Sequence, residues 1–128
     1  MKGKIFFDCK TFGSMDESLV KLDLKDKLVM LVHTVIFWLK NDLSDEDRST
    51  FFKEVATLGT IPSVEDFHLG TPAQTPKRPV IDDSYDCAVT VVLQDLTAQD
   101  QYQIDPIHQE FIDTCSSFWE RVVIYDAD

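Results

Sequence analysis

The chain has 128 residues, with 12 Lys+Arg against 23 Asp+Glu, a formal charge of −11 at pH 7; 44% of the residues are apolar and 11% aromatic. A chain of this length buries a core without disulfide or metal staples, so one globular α+β domain is expected. The acidic excess excludes the basic footprint of a nucleic-acid binder and does not suit an anionic membrane surface. The longest apolar run, Leu28–Leu39, is interrupted by His33 and Thr34 and falls short of the ~20 residues of a bilayer-spanning helix.

Charge is spread unevenly. Residues 1–29 hold six Lys and five acids, 6 − 5 = +1, whereas residues 30–128 hold six Lys+Arg and 18 acids, 6 − 18 = −12. Met30 stands at this shift, so residues 1–29 read as an N-terminal extension and residues 30–128 as the domain. Within the extension, Lys4–Asp8 has the pattern of a short strand and Met15–Lys27 that of a weak helix. The first residues lack the apolar stretch of about 7–15 residues that marks a secretory signal, and the expected location is cytoplasmic.

Leu31–Lys40 alternates, with Leu31, His33, Val35, Phe37 and Leu39 on one face and Val32, Thr34, Ile36 and Trp38 on the other. Both faces are largely apolar, which predicts a strand covered on both sides. Ser44 followed by Asp45, Glu46 and Asp47 reads as an N-cap with acids in the first turn. Phe51, Phe52, Val55 and Leu58 then recur at helical spacing, and Gly59 supplies the stop. Val64–Thr71 reads as a second strand. Pro72, Pro76 and Pro79 make the stretch to Asp83 a loop. A third strand is predicted over Tyr85–Leu93, and a short helix opened by Thr97 runs to Tyr102 or Ile104. Asp105-Pro106 breaks that helix and starts another, whose buried stripe is Ile107, Phe111, Cys115 and Phe118. Arg121–Asp126 reads as the last strand.

The order β-α-β-β-α-β predicts one antiparallel four-stranded sheet with the helices on one face, a ferredoxin-like layout. The other face then carries Val32, Ile36 and Trp38, or their neighbours of opposite parity. An apolar patch of that size predicts a homodimer through the sheet face.

Three stretches carry a resemblance: His33-Thr34-Val35-Ile36-Phe37-Trp38-Leu39-Lys40, Tyr102-Gln103-Ile104-Asp105-Pro106-Ile107-His108-Gln109-Glu110-Phe111, and Phe118-Trp119-Glu120-Arg121 leading to Tyr125-Asp126. Together with Arg78-Pro79-Val80-Ile81-Asp82, they resemble the stress-responsive α/β-barrel (Dabb) domain family over about residues 30–126. The resemblance implies a ferredoxin-like protomer and a dimeric α/β barrel. It also implies a protein without an assigned reaction, binding a small apolar or aromatic ligand. Resemblance to the family's plant polyketide cyclases implies instead a cofactor-free aldol-type enzyme. Tyr102 and His108 then match the catalytic tyrosine and histidine, and His33 a pocket-lining histidine. His108 would remove an acidic α-proton and Tyr102 would donate to the developing oxyanion. A third possibility, drawn from ring-forming relatives, is a structural subunit of a larger assembly. Where many members carry a histidine before the proline, this chain has Asp105, read as a cap for the helix that starts at Pro106 or as an orienting partner for His108.

The remaining chemistry-bearing residues have plainer readings. Cys9, Cys87 and Cys115 have no metal or redox spacing, and Cys87 and Cys115 read as small core residues. The acid clusters Asp45-Glu46-Asp47, Asp82-Asp83 and Asp126-Ala127-Asp128 read as a helix N-terminus, a loop and a tail, with no metal expected. Four isolated glycines supply no phosphate loop, so no cofactor is expected either. His68 is given no role.

Overall fold

The alternation of Leu31–Leu39 becomes the central strand β1, and every second side chain from Leu31 to Leu39 is buried. The structure, a computed structural model, describes residues 30–128; the expected extension, with its strand at Lys4–Asp8 and helix at Met15–Lys27, lies outside the described residues. α1 (Asp45–Thr57) opens where Ser44 caps it, its hydroxyl accepting from the Asp47 backbone N at 3.0 Å. Phe51 and Val55 turn from this helix into the core. The helix does not stop at Gly59 as expected but tightens into a 3₁₀ turn over Leu58–Thr60. No described glycine has positive φ, so Gly59 is not a left-handed cap. It is needed for a close approach: a Cβ there would stand 2.8 Å from Cδ2 of Phe67.

β2 (Val64–Gly70) and β3 (Cys87–Leu93) are joined by the proline-bearing loop. β3 starts two residues later than the apolar alternation predicts, and Asp86 is the reason. Its backbone N donates to the Phe37 carbonyl at 2.9 Å, while its carboxylate accepts from the Leu39 backbone N at 2.7 Å and from Arg48 at 3.3 Å. A side chain thus takes the place of the next ladder bond. α2 (Leu96–Ile104) opens one residue before Thr97, because Asp95 caps it through the Ala98 backbone N at 2.8 Å. α3 (Pro106–Cys115) has Pro106 in its first turn and Asp105 as its cap, accepting from the Ile107 backbone N at 2.8 Å. The capping role expected of Asp105 is met. A second 3₁₀ turn, Ser116–Phe118, leads into β4 (Trp119–Ala127), which begins two residues before the expected Arg121.

The four strands form one antiparallel sheet in the order β2-β3-β1-β4, the ferredoxin-like arrangement. The core lies between the sheet and the three helices. Its centre is aromatic: the Phe37 ring is 5.3 Å from Phe51, 5.9 Å from Phe111 and 5.1 Å from Trp119, in edge and tilted contacts that add to area burial. Cys87 and Cys115 are fully buried core thiols, as expected. On the opposite face Val32, Thr34, Ile36 and Trp38 stand half-exposed. There Trp38 donates to the Ser84 hydroxyl at 3.0 Å, and the Arg121 guanidinium lies 4.2 Å above its ring. None of the described helices is long and apolar enough to cross a membrane.

Candidate functional site

The helix-facing side of the sheet is not completely filled. A cavity of about 250 Å³ remains between the sheet and the helices. Its floor follows β1 from His33 through Val35 to Phe37, with Val89, Val122 and Ile124 from the flanking strands. The wall over it includes Gln103 of α2 and His108, Phe111 and Ile112 of α3. Strand alternation and helical spacing together give the cavity two unlike ends. Phe37, Phe111 and Trp119 make an aromatic end; His33 and His108 make an imidazole end.

The three candidate residues come together. The Tyr102 ring packs against both histidines, its centroid 5.7 Å from His33 and 5.0 Å from His108, with an interplanar angle of 67° in each case. Tyr102 is almost fully buried, which pushes its hydroxyl above the ordinary phenol range. It touches both histidines but is not one of the cavity's lining residues.

The two histidines have different surroundings. His33, only 3% exposed, has its Nδ1 at 2.5 Å from Oδ1 of Asp126. A carboxylate only accepts, so Nδ1 is the donor. His108 is half-buried, and its buried Nδ1 has no hydrogen-bond partner among the described residues. Burial holds its basicity below the ordinary imidazole range; a charge on His33 acts the same way, and the Asp105 carboxylate opposes both. His108 is therefore neutral at pH 7 and able to accept a proton.

Asp126, read both as the end of the last strand and as part of an acidic tail, belongs to β4, directly across from His33 in the ladder. Gln103 was missed as a wall residue. Its signal was weak, since it sits on a helix with little amphipathic pattern, beside the conspicuous Tyr102. The thiols are chemically quiet: burial pushes Cys87 up to about 12 and Cys115 to about 11. His68 lies on the open sheet face across from Thr90, away from this cavity. Among the described residues no group of three or more His, Cys, Asp or Glu side chains converges as a metal site.

Comparison with known proteins agrees with this layout. Olivetolic acid cyclase of Cannabis sativa is 26% identical over 95 residues, covering 73% of this chain and 91% of the cyclase. A hydroxynitrile lyase from Passiflora edulis has the same fold, with a TM-score of 0.65 at 18% identity over 77% of this chain and 92% of the lyase. So has a dimeric ferredoxin-like protein of unknown function from Thermobifida fusca, with a TM-score of 0.62 at 16% identity over 76% of this chain and 88% of that one. The sequence model of the Stress responsive A/B Barrel Domain matches residues 31–128, and the chain belongs to that family, Dabb.

Proposed function

We propose that this protein is a homodimer that takes one small apolar or aromatic ligand in the cavity between its sheet and helices. The observation that carries the reading is the cavity itself, apolar along its length and imidazole-lined at one end. An apolar cavity of ~150 Å³ is enough for benzene. One of about 250 Å³ therefore suits a substituted ring, its apolar part against Phe37, Phe111 and Trp119 and its polar substituent at His33 and His108. The half-exposed Val32, Ile36 and Trp38 favour pairing of two sheets, as does the dimeric Thermobifida fusca neighbour.

Thermal shift with aromatic and β-keto acids, wild type beside His108→Ala, tests the cavity. A ligand at 100 times its Kd adds ~2.7 kcal/mol, or roughly 10–20 °C in a domain of this size. The shift is expected in wild type and lost in the variant. No shift in wild type with any of these acids would leave His108 as core architecture and end this reading.

A second reading is favoured by the state of His108. A neutral imidazole lining the cavity is suited to general-base work, and Tyr102 stands against its ring. Together with the cyclase relative, this supports cofactor-free proton abstraction next to a carbonyl, followed by aldol-type ring closure. Exchange of the α-protons of a β-keto ester in D₂O, followed by NMR, checks it. His108→Ala should slow exchange by about 10²–10⁴-fold, a general base's usual contribution. Exchange at the solvent rate in wild type would leave binding as the whole function.

A further inference from the structure

His33, on the floor of the imidazole end, is held by a carboxylate from the edge strand. Asp126 lies near the end of the edge strand β4, in register with His33, and the backbones of the two strands are already paired there. Its side chain is 49% exposed, whereas that of His33 is 4% exposed. A half-solvated carboxylate thus reaches a buried imidazole at 2.5 Å.

We infer that Asp126 is a positioning residue, whose carboxylate keeps a proton on Nδ1 of His33 so that Nε2 is the nitrogen left for a ligand in the cavity. The argument follows from donor and acceptor counts. A neutral imidazole has one N–H, and a carboxylate offers only lone pairs. Whether His33 is neutral or charged, Nδ1 therefore carries hydrogen while Asp126 faces it. A carboxylate behind a working histidine fixes both tautomer and ring orientation. His108 has no such support, since Asp105 spends its carboxylate on the Ile107 backbone N. The two imidazoles are thereby made unequal: the buried Nδ1 of His108 has no partner, whereas His33 has a negative charge behind its Nδ1. Paired titratable groups in unlike surroundings take different roles on one ligand. The inference rests on the cavity being a working site.

Its test is long-range ¹H–¹⁵N correlation on full-length protein carrying ¹⁵N-histidine, in wild type, Asp126→Ala and Asp126→Glu. His33→Gln and His108→Ala assign the signals. Because Asp126 is half-exposed at a strand end, these variants should fold. Nδ1 of His33 is expected to be protonated in wild type, to lose its proton to Nε2 in most molecules of Asp126→Ala, and to regain it in Asp126→Glu. Titration with benzoylacetone, a neutral aromatic β-diketone, should show at least tenfold weaker binding in Asp126→Ala and recovery in Asp126→Glu. An unchanged tautomer in Asp126→Ala overturns the inference, as does a changed tautomer with unchanged affinity. If wild type binds no benzoylacetone while Asp126 still governs the tautomer, the hold on His33 stands and the cavity reading falls. If wild type and Asp126→Ala bind equally with one tautomer, the cavity reading stands and the positioning role falls.

Discussion

Replacing Gly59 by alanine should destabilise the protein although no glycine-specific backbone conformation is at stake. The Cβ would sit 2.8 Å from Cδ2, 2.9 Å from Cγ and 3.3 Å from Cβ of Phe67. Carbon atoms rest at about 3.5–4.0 Å, so relief needs a movement of well over half an ångström. The atoms met are the root of the phenyl group, which moves only with the β2 backbone or with a new rotamer. Overpacking of this kind costs roughly 1–3 kcal/mol. Alanine recovers about 0.4–1 kcal/mol by narrowing the unfolded ensemble. The net expectation is a loss of roughly 1–2 kcal/mol, or about 5–15 °C in Tm for a domain near 100 residues. Urea melts of Gly59→Ala, Phe67→Ala and the double variant isolate the cause. In the Phe67→Ala background the same substitution should be neutral or slightly stabilising, a coupling of about 1–3 kcal/mol. Equal costs in both backgrounds would refute the steric account. Because Leu58 lines the cavity from the same 3₁₀ turn, a turn displaced by the added methyl group should also weaken binding there.

Asp86→Ala should cost about 1–3 kcal/mol in urea melts, since it strips the Leu39 backbone N of its acceptor and Arg48 of its partner. His108 has a folded-state basicity below its unfolded one, so the unfolded chain takes up the proton first. Stability should therefore fall as pH drops below about 6.5, the ordinary imidazole value, and that slope should be reduced in His108→Ala; melts from pH 7.5 to 5 check it. Val122→Phe should fill the cavity, keeping stability or raising it by the roughly 0.5–2 kcal/mol typical of cavity filling, while abolishing thermal shifts by aromatic acids. Ile36→Glu on the open face should shift the protein to the mass of a monomer in light scattering; a dimer of unchanged affinity would place the interface elsewhere.

Much of this architecture is visible in local patterns, and the exceptions share a cause. β1 is legible because the helices bury one of its faces along its whole length, so its alternation is complete. Ser44 and Asp105 are legible because a cap acts within three residues of itself. Gly59 is misleading because its reason, the Phe67 ring, belongs to another element. Tyr85 continues the alternation of β3, yet the strand starts at Cys87 because Asp86 bonds across to β1. The face that Asp126 takes depends on a bulge. Leu39 faces Trp119 but Trp38 faces Arg121, so Glu120 is the extra residue and parity reverses there. Beyond it, Val122, Ile124 and Asp126 share the helix-facing side, and Asp126 comes to lie across from His33. A single strand read alone carries no sign of which face its partner will bury.

The cavity is the feature that packing alone does not explain. The space is partly open, with Ile124 on its floor 53% exposed, so covering its apolar walls with a ligand is favourable by about 25 cal/mol per Å². The side chains on the floor are small where larger ones would close the space: Val35, Val89 and Val122 come from the three strands beneath it. Next to them the same core is tightly packed, with four aromatic rings in mutual contact. A fold that packs Phe37, Phe51, Phe111 and Trp119 together is able to fill a neighbouring gap. Instead the gap ends at two imidazoles, one tied to a carboxylate and one not. An accidental void would have no reason to collect its polar atoms at one end and its rings at the other. That polarity matches a ligand with an apolar body and one polar group, whose occupancy would cover those apolar walls.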